Sequence, residues 1–103
     1  MLFRSEGFDA RLLVLLEGLI VATDVKQAGE LQLVRPLGES RFDKPYSGWY
    51  WQITDDANHS VTSRSLWDQR LPVLESERVT ARTLPGPRGQ QLRVVERDIY
   101  LAP

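Results

Sequence analysis

The 103-residue chain predicts an α+β fold in which an N-terminal amphipathic helix packs on a five-stranded, mostly antiparallel sheet. Three observations lead there. The hydrophobic period is near 3.6 from Ser5 to about Val25 and near 2 from there onward. Short strand-like runs are separated by turn-forming clusters at 55–58 and 85–89. The length suits one domain, 1–103, with a real core and no room for a second.

In the helix, Phe8, Leu12, Leu15, Leu16, Leu19 and Thr23 share one face, widened by Leu13 and Ile20. Val14, Gly18, Val21 and Val25 gather on the opposite side, flanked by Arg11 and Glu17. A helix packed once needs a single apolar stripe. The second stripe, with a glycine that permits close backbone approach, has two readings: it meets a partner helix in a homodimer, or the helix is buried on both sides within the monomer.

Strands are expected near 30–35, 48–55, 59–67, 78–84 and 90–101. Asp55-Asp56-Ala57-Asn58 tolerate tight-turn geometry and join the second and third as an antiparallel hairpin. Pro85-Gly86-Pro87-Arg88-Gly89 form the tip joining the last two. Pro36 to Tyr46 is a polar segment with space for a turn of helix, and Gln69 to Glu77, containing Pro72, is a loop.

Composition excludes several functions. Thirteen Lys and Arg against fourteen Asp and Glu, with no basic block, lack the electrostatic footprint of a nucleic-acid binder. The absence of cysteine removes disulfides, thiolate chemistry and cysteine-ligated zinc, and is compatible with either redox compartment. The longest apolar run, Leu12 to Ala22, is interrupted by Glu17 and Gly18 and falls short of the roughly 20 residues of a membrane span. It is not a signal peptide either, so a secreted product would need a targeting segment upstream.

All three tryptophans and one of three tyrosines fall between Trp49 and Trp67. Along the central strand Trp49, Trp51 and Ile53 alternate with Tyr50 and Gln52, so the tryptophans share a face as core or as a binding surface, and the tyrosine looks the other way. Val61, Ser63, Ser65 and Trp67 share a face of the paired strand, where the small serines leave room for bulky neighbours. Arg64, beside Tyr50 and Gln52, offers a donor fork to an anionic ligand or to a neighbouring carboxylate.

Catalytic constellations are weak. His59 is the only histidine, beside a turn and without a nucleophile motif. Asp55 and Asp56 with His59 have the donors for a divalent cation, but such clusters at hairpin tips ordinarily favour the turn and face water, so no metal is expected. Pro85 to Gly89 lacks the lysine and following helix of a phosphate loop. Enzymatic activity within this chain is not expected, because no convergent cluster of titratable residues can be assembled.

The stretches Arg35-Pro36-Leu37-Gly38, Arg41-Phe42-Asp43-Lys44-Pro45-Tyr46-Ser47-Gly48-Trp49-Tyr50-Trp51-Gln52-Ile53 and Ser63-Arg64-Ser65-Leu66-Trp67-Asp68 resemble the extracytoplasmic sensor region of a group of proteobacterial two-component histidine kinases. Gly86-Pro87-Arg88-Gly89-Gln90-Gln91-Leu92-Arg93 with Val95-Glu96-Arg97 looks like that region's last hairpin, and Phe8-Asp9-Ala10-Arg11-Leu12 like its opening. The resemblance implies a PAS-like, PDC-type domain looping into the periplasm between two transmembrane helices of an inner-membrane protein. It implies a homodimer through the N-terminal helix, and a parent kinase whose cytoplasmic part uses ATP and Mg to phosphorylate a histidine and then a response regulator.

No cofactor is implied in these residues, and His59 sits in no phosphoacceptor-like context. Related sensors that bind divalent cations use a dense acidic face, whereas here the acids are scattered and balanced by arginine. The expected contacts with a small ligand or a periplasmic protein are Tyr50, Gln52 and Arg64, with the loop residues Arg41 and Tyr46. A reading from a different class is a dimerisation or docking module that binds no small molecule. A pocket lined by polar and aromatic groups favours the sensor, and a filled core with an exposed aromatic patch favours the docking module.

Overall fold

A computed structural model of the chain describes residues 2–3, 9–25, 30–34 and 37–100. The predicted helix start at 5–8, including Phe8, the pair Arg35 and Pro36, and Leu101 of the last predicted strand lie outside the described residues.

Helix α1 spans Asp9–Ala22. Leu12, Leu16, Leu19 and Ala22 are buried, and Leu15 and Ile20 pack beside them at the edge of the core. Each buried leucine contributes about 1.5–3 kcal/mol relative to an exposed one, so this face holds the helix to the sheet. The other face is bare. Val14 and Val21 are 67% and 65% exposed, and nothing lies within 4 Å of where a Cβ on Gly18 would stand. Burial on both sides within the monomer is therefore overturned.

The helix ends earlier than its apolar period suggests. Thr23 bonds its hydroxyl back to the Leu19 carbonyl at 2.7 Å, and the β-branched pair Thr23 and Val25 belongs to a strand, β2 (Thr23–Val25), antiparallel to β3 (Leu31–Leu33). Val25 thus lies beyond the helix, and the helical stripe comprises Val14, Gly18 and Val21.

Instead of one five-stranded sheet, the described strands form three short antiparallel sheets. Strands β1 (Leu2–Phe3), β4 (Trp49–Tyr50), β7 (Thr80–Pro85) and β8 (Gln91–Glu96) make a four-stranded sheet in the order β4-β1-β8-β7. Two-stranded hairpins β2–β3 and β5–β6, the latter from Gln52–Thr54 and Ser60–Thr62, complete the set. The segment predicted as one strand over 48–55 changes partner at Trp51: Tyr50 pairs with Leu2, whereas Ile53 pairs with Val61. At the crossing the Trp51 N–H donates to the Ser63 hydroxyl, and the Ser63 N–H donates to the Trp51 carbonyl.

The strand predicted to run to 67 stops at Thr62 because serine hydroxyls offer the backbone an alternative to the ladder. A 3-10 turn over Arg64–Leu66 follows, and a second such turn, Ser40–Asp43, occupies the polar segment where a turn of helix is expected.

Side-chain alternation survives the change of partner and divides the interior in two. Trp51 packs with Leu12, Leu16, Leu19, Phe42 and Val95, and Trp49 packs against them. Tyr50 points the other way, wholly buried with Leu66, Leu71, Leu84, Leu92 and Val94. The tip of the β7–β8 hairpin lies close over this second core, where a Cβ on Gly86 would meet the Leu92 side chain at 2.6 Å.

Candidate functional site

Of the five residues expected to contact a ligand, Tyr46 and Tyr50 share Gln90 as a hydrogen-bond partner, while Arg41, Gln52 and Arg64 occupy separate places in the fold. Arg41, exposed on the Ser40–Asp43 turn, lies with its guanidinium carbon 3.7 Å from the Trp49 ring centroid. Glu39 grips it from below, accepting from Arg41 Nε at 2.8 Å and Nη2 at 3.0 Å. Arg11 of α1 approaches the same ring at 5.6 Å, and Phe42 meets it edge-on with centroids 6.5 Å apart. Arg41 is thus occupied in tying its turn to the central strand.

The hydrogen bonds from Arg41 hold the Glu39 carboxyl down at about 2, against an ordinary value of 4.5. A depressed carboxyl contributes stability that is present above its unfolded value and lost as pH falls through its folded value. Acid unfolding of the wild type is accordingly expected to include a component between pH 4.5 and about 2. A Glu39→Gln variant followed by circular dichroism against pH should lack it.

Tyr46, at φ 53°, donates its hydroxyl to Asp68 at 3.2 Å, and Arg88 lies 4.4 Å from its ring centroid. Partial burial and the Asp68 carboxylate push its phenol up. Gln90 joins the two tyrosines: its Nε2 donates to the Tyr46 carbonyl, and its Oε1 accepts from the buried Tyr50 hydroxyl. Tyr50 is therefore a core residue with a satisfied polar tip.

Gln52 faces the loop predicted over 69–77. Its Oε1 accepts from the Leu71 N–H, and its Nε2 donates to the Leu71 carbonyl, both at 2.9 Å. Arg64 opens the second 3-10 turn and is exposed. It is not in mid-strand.

A broad cleft of about 1010 Å³ separates the C-terminal half of α1 and the β5–β6 hairpin from the segments at 70–75 and 96–100. Leu16, Leu19, Ile20 and Ile53 give it an apolar floor, and Arg70, Arg97, Asp56, Glu75 and Asp98 stand on its rim. Of the five expected residues only Gln52 lines it.

Sequence reasoning missed the group that fixes the cleft wall. Glu96 binds Arg82 through two bonds, at 2.7 and 3.2 Å, and accepts from the Leu74 N–H, while Arg82 donates to the Pro72 carbonyl. An opposite-charge pair two residues out of direct register in the β7–β8 hairpin was the available signal.

Asp55 accepts from the His59 N–H at 2.8 Å, which lowers its carboxyl and closes the turn. Among the described residues no three His, Cys, Asp or Glu side chains are grouped to hold a metal ion, and no helix is long and apolar enough to cross a membrane. No family model, curated protein or solved structure matches the chain.

Proposed function

We propose that the chain is the signal-sensing periplasmic domain of a membrane-bound two-component histidine kinase, with a PAS-like, PDC-type fold. The observation that carries the reading is the double duty of α1. Its Leu16, Leu19 and Ile20 line the open cleft, while Val14, Gly18 and Val21 form an apolar stripe facing solvent on the far side. Occupancy of the cleft and pairing of two lead helices then act on the same rigid element.

A ligand or periplasmic protein that binds one arrangement of the paired helices more tightly shifts the dimer between two states by that difference in affinity. In this proposal the parent is an inner-membrane homodimer. ATP and Mg serve its cytoplasmic kinase, which passes a phosphoryl group to a response regulator, and no step of that chemistry is assigned to these residues.

The gene on either side of this segment tests the assignment. Apolar spans of about 20 residues on both flanks, followed by a histidine-bearing helical hairpin and an ATP-binding domain, are expected, and their absence overturns it. Dimerisation has its own test in sedimentation. A Val14→Glu, Val21→Glu double variant places like charges across the helix pair and is expected to weaken self-association by more than about tenfold. Because both sites are exposed, stability should move by no more than about 0.5 kcal/mol per site.

A further inference from the structure

Trp67 occupies a conformation made for glycine. The Gln69 N–H closes a turn onto the Leu66 carbonyl at 2.9 Å, and Trp67, its second residue, sits at φ 56° and ψ −112°. That is the first central position of a type II′ turn, which glycine dominates because a Cβ is disfavoured there. Such a conformation persists only where the surrounding structure holds it. Trp67 is 67% exposed.

The base beneath it is buried and fully hydrogen-bonded. Leu66 and Ser65 are wholly buried, the Ser63 and Ser65 hydroxyls bond each other at 2.7 Å, and Ser65 donates on to the Trp49 carbonyl. Arg64 and Arg70 lie three residues to either side of the tryptophan in sequence, both exposed, with Arg70 donating to the Gln69 carbonyl at 3.0 Å and standing also on the cleft rim. Across the Tyr46 ring stands Arg88, itself in the left-handed region at φ 54°. Among the described residues no carboxylate forms an ion pair with Arg64, Arg70 or Arg88. Asp68, the nearest acid in sequence, accepts from the neutral Tyr46 hydroxyl and Gln69 amide and keeps its charge, so the three arginines outnumber it.

We propose that Trp67, flanked by Arg64 and Arg70, is the anchor by which this chain docks a different protein, one whose surface offers an apolar pocket rimmed with carboxylates. Tryptophan and arginine are the residues that most often carry binding energy at protein interfaces, and an excess of positive charge over Asp68 selects an acidic rim. Backbone strain held on a buried, hydrogen-bonded base is a mark of a functional position, and fixing one geometry in advance suits a shaped protein pocket. A fluid lipid surface makes no such demand. A second copy docking through the same patch would set these arginines against themselves. The inference stands independently of the kinase reading.

Two measurements test it together. Trp67→Gly removes the strain and is expected to raise the melting temperature by about 4 °C or more. In the producing cell, a photo-reactive benzoylphenylalanine at Gln69 is expected to join the chain to one other protein, through a peptide with aspartate or glutamate beside apolar residues. That adduct should fall by about tenfold or more in Trp67→Gly and in the Arg64→Ala, Arg70→Ala double variant. A lower melting temperature for Trp67→Gly would show that the side chain serves stability, and would overturn the proposal. So would an adduct indifferent to these substitutions, an adduct with lipid or a second copy, or no adduct at all.

Discussion

Replacing Trp51 with alanine is expected to destabilise the protein by about 3–5 kcal/mol, the cost of emptying a large aromatic site in a core. That is a large part of the 5–15 kcal/mol that holds a typical domain together. Trp51 is 8% exposed and touches the core formed by α1, Phe42 and Val95. It also marks where one extended segment leaves the four-stranded sheet for the β5–β6 hairpin. A cavity there loosens the seat of the helix and the crossing between sheets together. Urea denaturation should show the midpoint falling in proportion, while Trp51→Phe, which retains most of the volume, should lose markedly less.

The second large effect is expected at Glu96. Its carboxylate, 13% exposed, accepts the Arg82 fork and the Leu74 N–H. Glu96→Ala removes all three bonds and leaves Arg82, whose side chain is 29% exposed, without its counter-charge. Hydrogen bonds to charged groups are worth about 1.5–3 kcal/mol each, and they are not additive, so a loss of about 2–3 kcal/mol is expected. The effect should be uneven: amide exchange is expected to accelerate first over 73–75, where the cleft wall depends on the Leu74 N–H held by Glu96 and on Arg82 at the Pro72 carbonyl, and later in α1. Equal acceleration throughout would mean that Glu96 supports the whole fold instead of the wall.

Much of the architecture was legible in the sequence because it follows from local periodicity. The buried face of α1, the two hairpins with their turns, and the placing of Trp51 and Tyr50 in opposite directions all follow from residue spacing. What failed were single positions where side-chain chemistry overrides the period. Thr23, bonded back to Leu19, enters a strand where the apolar period runs on, and Ser63 and Ser65 end a strand by taking over backbone partners.

The expected contact residues illustrate a second limit. Strand alternation set Tyr50 apart from the tryptophans but not what covered it, and the cover is a second core built from Leu66, Leu71 and the β7–β8 hairpin. Gln52 and Arg41 resembled free recognition groups in the sequence. In the fold Gln52 binds Leu71, 19 residues away along the chain, whereas Arg41 is held by Glu39, only two residues away, and lies over Trp49, eight away.

The sequence by itself determined the α+β class, the amphipathic helix with two apolar stripes and the turn positions, since each depends on neighbours within a few residues. Tertiary structure alone decided that one stripe remains bare, that the central segment serves two sheets, and that Trp67 stands in water on a glycine-type turn. Those outcomes depend on which distant surfaces meet, and a periodicity read along one chain carries no information about what covers a face.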